Sequence, residues 1–476
     1  MFPYFLKEEQ KMKKILAMLL ALIMVFSLAA CGAKEEVPKA EAETPKADAT
    51  APKADAEASV EEEHEPVDLT MWFIAEGDIP QYILDLPATV QKYYPWINLN
   101  CEHIPGNAIS ERVSVAYATD SCPDLLLDDY SRIAPAVPGG MAVDLTDIYE
   151  ANKDIFISEN LEGMLDGKNY YLPVWSSSPY GIVVNMSMAK ELGVADMIPA
   201  PGEPWSYEDF LNVCRTAKAA DSNIYPFALY AASQSSDAWD YGMVLGNGAS
   251  ILNEDHTASA VNEPGNKEKV VEVLKLYQTL ASEHLIPDGA AAMTNGDCAA
   301  LLRSGQLLMQ CGGFNNAADY MQQMEEGNCI EFEVTCVCQP TPNGELGVTA
   351  SFGTGGLAVY NSNGKAEAAK LVVDAVMKDQ AWRQGFISYG GYYPITVDVE
   401  AIGATPELTE LAAIGVDYGA KYSNSEFGIL EPFWSDCRTV FYPLKQDLFT
   451  GNITAEEFVE KWAEGLDGIL SAYYAG

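Results

Sequence analysis

Asp128 and Asp129 stand side by side after an apolar run, and paired carboxylates are the equipment of acid–base and glycoside chemistry. Neighbours at a strand end point apart, and a glycosidase pair needs a set separation across a sugar ring. With 69 acidic residues in the chain, such pairs arise by chance. Gly353-Thr354-Gly355-Gly356-Leu357-Ala358 has the letters of a dinucleotide loop, but that loop must open a helix, whereas Leu357 to Tyr360 reads as a strand. A Gly-rich bend between two bodies, or beside a ligand, is the better reading. Cys336-Val337-Cys338 places two thiols on one face of a strand, with no second Cys or His pair nearby to complete a metal site. There is no His-Glu-x-x-His, no Gly-x-Ser-x-Gly and no phosphate loop ending in Gly-Lys-Ser/Thr. The residues therefore suggest no catalytic constellation, no metal and no cofactor, and the chain reads as a non-enzyme.

The elements that would position these side chains come from 476 residues carrying a net charge of −41, with 28 basic residues against 69 acidic ones. Such an excess repels phosphate backbones, which excludes nucleic acid as a partner. Lys11, Lys13 and Lys14 precede an uncharged apolar run, Ile15 to Ala30, that is short for a bilayer span and ends in Leu28-Ala29-Ala30-Cys31-Gly32. This looks like a bacterial lipoprotein signal over 1–30, with Cys31 as the residue that takes the lipid and Met12 as the natural start. From 31 to 66 the composition turns to Ala, Glu, Lys, Pro and Asp, and Pro-Lys-Ala recurs at 38, 45 and 52. With almost nothing to bury, this stretch is expected to be a solvated tether.

The remainder, 67–476, is too long for one compact core and suits two lobes. Strand-like runs at 69–74, 125–127, 182–185, 307–310, 331–338 and 357–360 alternate with amphipathic helical patterns such as 270–284 and 366–377. That alternation predicts α/β layers with largely parallel sheets. Ser206-Tyr207-Glu208-Asp209 and Thr454-Ala455-Glu456-Glu457 carry the Ser/Thr-x-x-acid signature of helix starts. Nine cysteines remain beyond Cys31, an odd and irregularly spaced set that predicts small buried hydrophobes rather than a disulfide framework.

Taken in order, Asp166-Gly167-Lys168-Asn169-Tyr170-Tyr171-Leu172-Pro173, Tyr180 to Asn185 and Pro204-Trp205-Ser206-Tyr207-Glu208-Asp209-Phe210 resemble successive segments of the family 1 extracellular solute-binding proteins of ABC importers. Ser304-Gly305-Gln306-Leu307-Leu308-Met309, Ala366 to Met377 and Gly391-Tyr392-Tyr393-Pro394 continue the match across essentially all of 67–476. The resemblance implies a two-lobed, periplasmic-binding-protein-like (type II) α/β fold that captures a carbohydrate in an interlobe cleft. It also implies a monomer, lipid-anchored on the outer face of a bacterial membrane and partnered by ABC permease subunits. It places crossings near Trp175 to Tyr180, Cys311 to Asn315 and Thr349 to Gly356. The expected lobes are thus 67–175 plus 312–350 and 176–311 plus 351–476.

Sugars offer hydroxyls and apolar C–H faces, so their sites pair aromatic platforms with hydrogen-bonding acids, amides and arginines. Positions matching the family's binding loops are Trp72 with Gly77 and Asp78, then Asp128, Asp129, Tyr130 and Arg132. Further along come Trp175 and Ser177 at the first crossing, Trp239, and Phe314-Asn315. Phe433-Trp434 with Arg438 resembles the Phe-Trp…Arg spacing that maltodextrin-binding members place over the sugar, although Phe314 stands where those members carry Trp. Trp205 and Trp462 are assigned to packing. Two other classes stay open: a receptor for a cationic solute such as a polyamine, held in a carboxylate and aromatic cage, and a surface lipoprotein that binds or cuts carbohydrate without a transporter.

Overall fold

The computed structural model describes residues 64–475 except 76–78, 106–107, 158–163, 166, 233–235, 351–352, 362, 391, 402–404, 425–427 and 429–430. The expected leader, Cys31, most of the expected tether, Gly77 and Asp78 lie outside the described residues.

The chain begins with β1 (Val67–Ala75), α1 (Gln81–Tyr93), β2 (Ile97–Pro105), α2 (Ile109–Thr119), β3 (Leu125–Asp129), a single turn α3 (Tyr130–Ile133) and β4 (Leu172–Ser176). It crosses at 176–180 into β5 (Tyr180–Asn185), α4 (Tyr207–Ala220), β6 (Tyr225–Ala228), α5 (Asp237–Gly246), α6 (Asn266–Ser282), α7 (Asn295–Arg303), β7 (Leu307–Gly313), α8 (Asn316–Glu325) and β8 (Val334–Cys338). It returns through β9 (Thr354–Val359), α9 (Ala366–Lys378), α10 (Gln380–Gly390) and β10 (Tyr393–Pro394), then ends in α11 (Pro406–Tyr422), α12 (Trp434–Phe449) and α13 (Ala455–Ala475).

The two larger sheets among the described residues are ordered β10-β4-β9-β3-β1-β2 and β8-β5-β7-β6, beside two small two-stranded ones. In the first, alternate residues feed opposite faces. Leu69, Met71, Phe73, Leu125, Leu127, Leu357 and Val359 pack under α1, α9 and α10, while Trp72, Leu126, Ala358 and Tyr360 face the other way toward Ile109 and Val113 of α2. The second sheet is enclosed by one large core running from Ile182 through Trp239, Trp434 and Trp462 to Leu470. The sheets are mixed rather than largely parallel: β1 pairs in parallel with β2 and β3, but β9 runs antiparallel to β3 and β4. A strand that enters from the other lobe must run against those that leave for it.

The lobe boundaries differ from expectation in their second segments. Cys311 to Asn315 is no crossing: Gly312 and Gly313 pair with Gly181 and Tyr180 inside the second sheet, and α8 and β8 stay on the same core. The two glycines serve close packing, since a Cβ at either would collide with Asn316 or Asn315. Strand pairing therefore puts 312–350 in the second lobe and 354–399 in the first. The described residues change lobe between Ser176 and Tyr180, between Ala350 and Thr354, and between Val399 and Ala401.

Local signals hold where they are strongest. Ser206 Oγ accepts from the Asp209 amide at 3.1 Å while Asp209 returns the bond to the Ser206 amide, and Thr454 and Glu457 do the same. All nine cysteines beyond Cys31 are free thiols, seven of them buried.

Candidate functional site

β3 ends at Asp129 and the chain turns at once into α3, which swings Arg132 back over both acids. Arg132 Nε donates to Asp128 Oδ2 at 2.7 Å, and Nη2 donates to Asp128 Oδ1 at 2.6 Å and to Asp129 Oδ2 at 2.9 Å. The acids expected to point apart thus share one guanidinium, because the strand stops between them and the helix. Asp128 Oδ1 also accepts the Asp129 amide, which fills both of its oxygens. Asp129 keeps 28% of its side-chain surface open and its second oxygen has no protein partner among the described residues. Behind them the Tyr117 hydroxyl donates to the Arg132 carbonyl at 3.0 Å and lies 2.7 Å from the Tyr360 hydroxyl.

The second lobe faces this cluster with α5 and α12. Arg438 Nε donates to Asp237 Oδ2 at 2.5 Å and Nη2 to Oδ1 at 3.1 Å, a buried two-pronged pair. Ser435, on α12, donates its hydroxyl to the Ser131 carbonyl of α3 at 3.2 Å, so the lobes touch here. The charges act across the gap. Burial holds the Asp129 carboxyl above its ordinary value of 3.8, against the opposing pull of Arg132 and Arg438. Burial raises Asp237 as well, with Arg438 working against it. Tyr180, at the first crossing, and Tyr392 are raised by burial, with the Asp129 charge adding to it.

Next to the acids lies an aromatic stack that belongs to the first-lobe core, with only Tyr392 partly exposed. Trp175 packs on Phe386 at 5.0 Å between centroids and on Tyr392 at 5.2 Å. Its indole lies flat on Gly355, where any Cβ would fall inside the ring, and the β9 register shifts at that point. This explains the glycine cluster: it is a strand that lets a tryptophan approach, flanked by a crossing at Gly353, whose φ is +71°.

Of the residues expected from sequence, Asp128, Asp129, Trp175 and Arg438 come together, and Asn315 lies at the first crossing with its amide on Ser178 Oγ at 3.4 Å. Tyr130 packs on Tyr171 behind α3 at 5.3 Å. Five other expected aromatics lie elsewhere. Trp239 and Trp434 are within the second core, beside Phe227 and Tyr241 respectively. Phe314 packs on Tyr418, and Phe433 on Tyr473. Trp72 is buried in the first lobe against α2, its Nε1 donating to Glu102 at 3.0 Å and Arg112 stacked 4.2 Å over its ring. Large aromatics fill cores as readily as they line sites, and spacing does not separate the two. Asp237, Tyr180, Tyr392, Ser131 and Ser435 were not singled out as candidates. Tyr392 sits in the Gly-Tyr-Tyr-Pro turn, the one signal that pointed to it.

The bacterial extracellular solute-binding protein pattern matches residues 79–381. The chain belongs to this family. Solved structures similar to this solute-binding protein include an ABC substrate-binding protein from Listeria monocytogenes in complex with cycloalternan, 16% identical, with a TM-score of 0.67 over 86% of this chain and all of that one. A maltose-bound MalE3 from T. maritima is 16% identical with a TM-score of 0.68, covering 84% of this chain and 99% of that one. A sugar transporter protein from Arthrobacter chlorophenolicus with bound laminaribiose is 14% identical with a TM-score of 0.69, covering 84% and 99%. At this identity the likeness shows the fold, which is the two-lobed type II arrangement. No curated protein is similar enough in sequence to count as a relative. Among the described residues no helix is long and apolar enough to cross a membrane.

Proposed function

We propose that this solute-binding protein captures a carbohydrate, an oligosaccharide by preference, between its lobes and delivers it to the permease of an ABC importer, held at the outer membrane face by a lipid on Cys31. The observation that carries the reading is the interlobe cluster, in which Asp128, Asp129 and Arg132 of one lobe oppose Arg438 and Asp237 of the other beside Trp175 and Tyr392. Planar guanidiniums and carboxylates match vicinal hydroxyls, and the half-buried Tyr392, backed by Trp175, offers a ring to the apolar face of a sugar. The sugars bound in the similar structures support the same class.

Capture proceeds without bond breaking. Both oxygens of Asp128 are occupied, so Asp129 has no free second carboxylate beside it of the kind that two-carboxylate glycoside chemistry needs. Three carboxylates meet two guanidiniums, which disfavours an anionic sugar. That surplus carboxylate also keeps the cationic-solute reading alive.

A thermal-melt screen of the purified protein against neutral saccharides, sugar acids and polyamines tests this. A ligand at 100 times its Kd adds about 2.7 kcal/mol to the native state. Stabilisation by neutral saccharides that is nearly flat with salt supports the reading. Stabilisation by polyamines alone, weakening steeply as salt rises, replaces it, and a shortened oligosaccharide after incubation overturns the absence of chemistry.

A further inference from the structure

Two ion pairs join α5 to α12, and the second lies deeper than the ligand could reach. Lys445 Nζ donates to both oxygens of Asp240 at 2.8 Å, and neither side chain has any exposed surface. The Tyr277 hydroxyl adds a bond to Asp240 at 2.8 Å and Ser236 another at 3.1 Å, while the ammonium sits 5.3 Å from the Tyr277 ring centre and 5.7 Å from that of Phe449. Asp240 is one turn from Asp237, and Lys445 two turns from Arg438, so both pairs lie on the same facing stripes.

Replacing a buried ion pair by apolar residues of similar volume is often neutral or stabilising, so stability does not account for this one. What fixed hydrogen bonds supply, and apolar contacts do not, is register. Register needs help here, because Pro443 falls inside α12 between Arg438 and Lys445 and lacks the N–H that would bond the carbonyl four residues back. The helix therefore cannot carry alignment from one half to the other through an unbroken ladder.

We infer that Asp240 and Lys445 are a positioning pair: they fix α12 against α5 so that Arg438, Asp237 and Ser435 meet the opposite lobe in one arrangement, and thereby set ligand affinity without touching ligand. The effect on affinity rests on the interlobe cluster being the ligand site.

The test replaces both charges, Asp240→Leu with Lys445→Met, in the full protein, and compares it with Arg438→Lys and the triple variant. The expected double variant melts at or above the wild-type temperature yet binds the stabilising saccharide about tenfold more weakly, and Arg438→Lys costs it less affinity than it costs wild type. Wild-type affinity in a folded double variant overturns the inference. Should the double variant fail to fold, Tyr277→Phe removes one bond to Asp240 and keeps both charges; a weaker Kd with an unchanged melt supports the pair's role and an unchanged Kd refutes it. A ligand-free readout separates this from failure of the carbohydrate reading. Amide hydrogen exchange at 434–438 should quicken about tenfold in the double variant, and unchanged exchange refutes the inference whatever the ligand proves to be.

Discussion

Arg438→Met should cost about 3–5 kcal/mol at neutral pH, because it leaves Asp237 buried and charged with the Ala238 amide but no cation beside it. The figure follows from the geometry: two charge-assisted bonds, at 2.5 and 3.1 Å, hold a carboxylate with 2% of its surface exposed. Burial already lifts Asp237 above 3.8 with Arg438 in place, and removing that guanidinium deletes the main influence lowering it. For an acid whose folded value is raised, the associated stability is full below the unfolded value and is lost as pH rises through the folded one. The deficit of the variant should therefore shrink on acidification, by about 1.4 kcal/mol per pH unit once below the new folded value. Urea unfolding of wild type and variant at about pH 7.5 and about pH 5 reads this directly. Asp237→Leu added to Arg438→Met should restore most of the loss at the higher pH. An equal deficit at both pH values, or one below about 1 kcal/mol, would refute the reasoning that an uncompensated carboxylate is the cause.

Gly355→Ala should destabilise by about 1–3 kcal/mol or misplace Trp175, since the new methyl falls inside the indole; tryptophan fluorescence and urea unfolding would show it, and a silent variant would contradict the packing. Trp434→Ala should act on stability first, by about 3–5 kcal/mol, because the side chain is fully buried against Tyr241; a variant that keeps wild-type stability and loses only binding would return Trp434 to the ligand site. Saccharide affinity should fall as pH drops through the raised value of Asp129, and Asp129→Asn should flatten that profile; calorimetric titrations from neutral toward pH 4 check both, and a pH-dependent Asp129→Asn variant would assign the titration elsewhere.

Elements set by local chemistry were legible in the sequence. The caps at Ser206 and Thr454 and the helix at 366–378 follow from capping pairs and apolar period, which act within a few residues. The assignment of 312–350 and 354–399 to lobes was not, because it depends on which strand pairs with which across more than a hundred residues. Gly312-Gly313 and the Gly353 cluster carry the same letters but do different work, one in close strand pairing and the other beside a crossing and under an indole. The site was half legible for a similar reason. Asp128 and Asp129 stood out as a pair at a strand end, but Asp237 looked like any other acid until Arg438 came to rest on it.

The distribution of charge across the cleft suggests how a ligand would drive closure. Asp128 and Asp237 are each neutralised within their own lobe, so bringing the lobes together does not force bare charges into contact. Asp129 is the exception, half-satisfied by Arg132 and lifted mainly by burial. Closing an empty cleft strips water from its second oxygen and gives nothing in return, whereas a sugar hydroxyl placed there would donate the missing bond. The ligand would then favour the closed form by differential interaction, which is the condition for a population shift. Protonation removes the same penalty without a ligand. Mild acid should therefore close the empty protein while weakening the advantage a saccharide confers, and small-angle scattering of the unliganded protein across that pH range would show compaction if Asp129 is the residue that holds the cleft open.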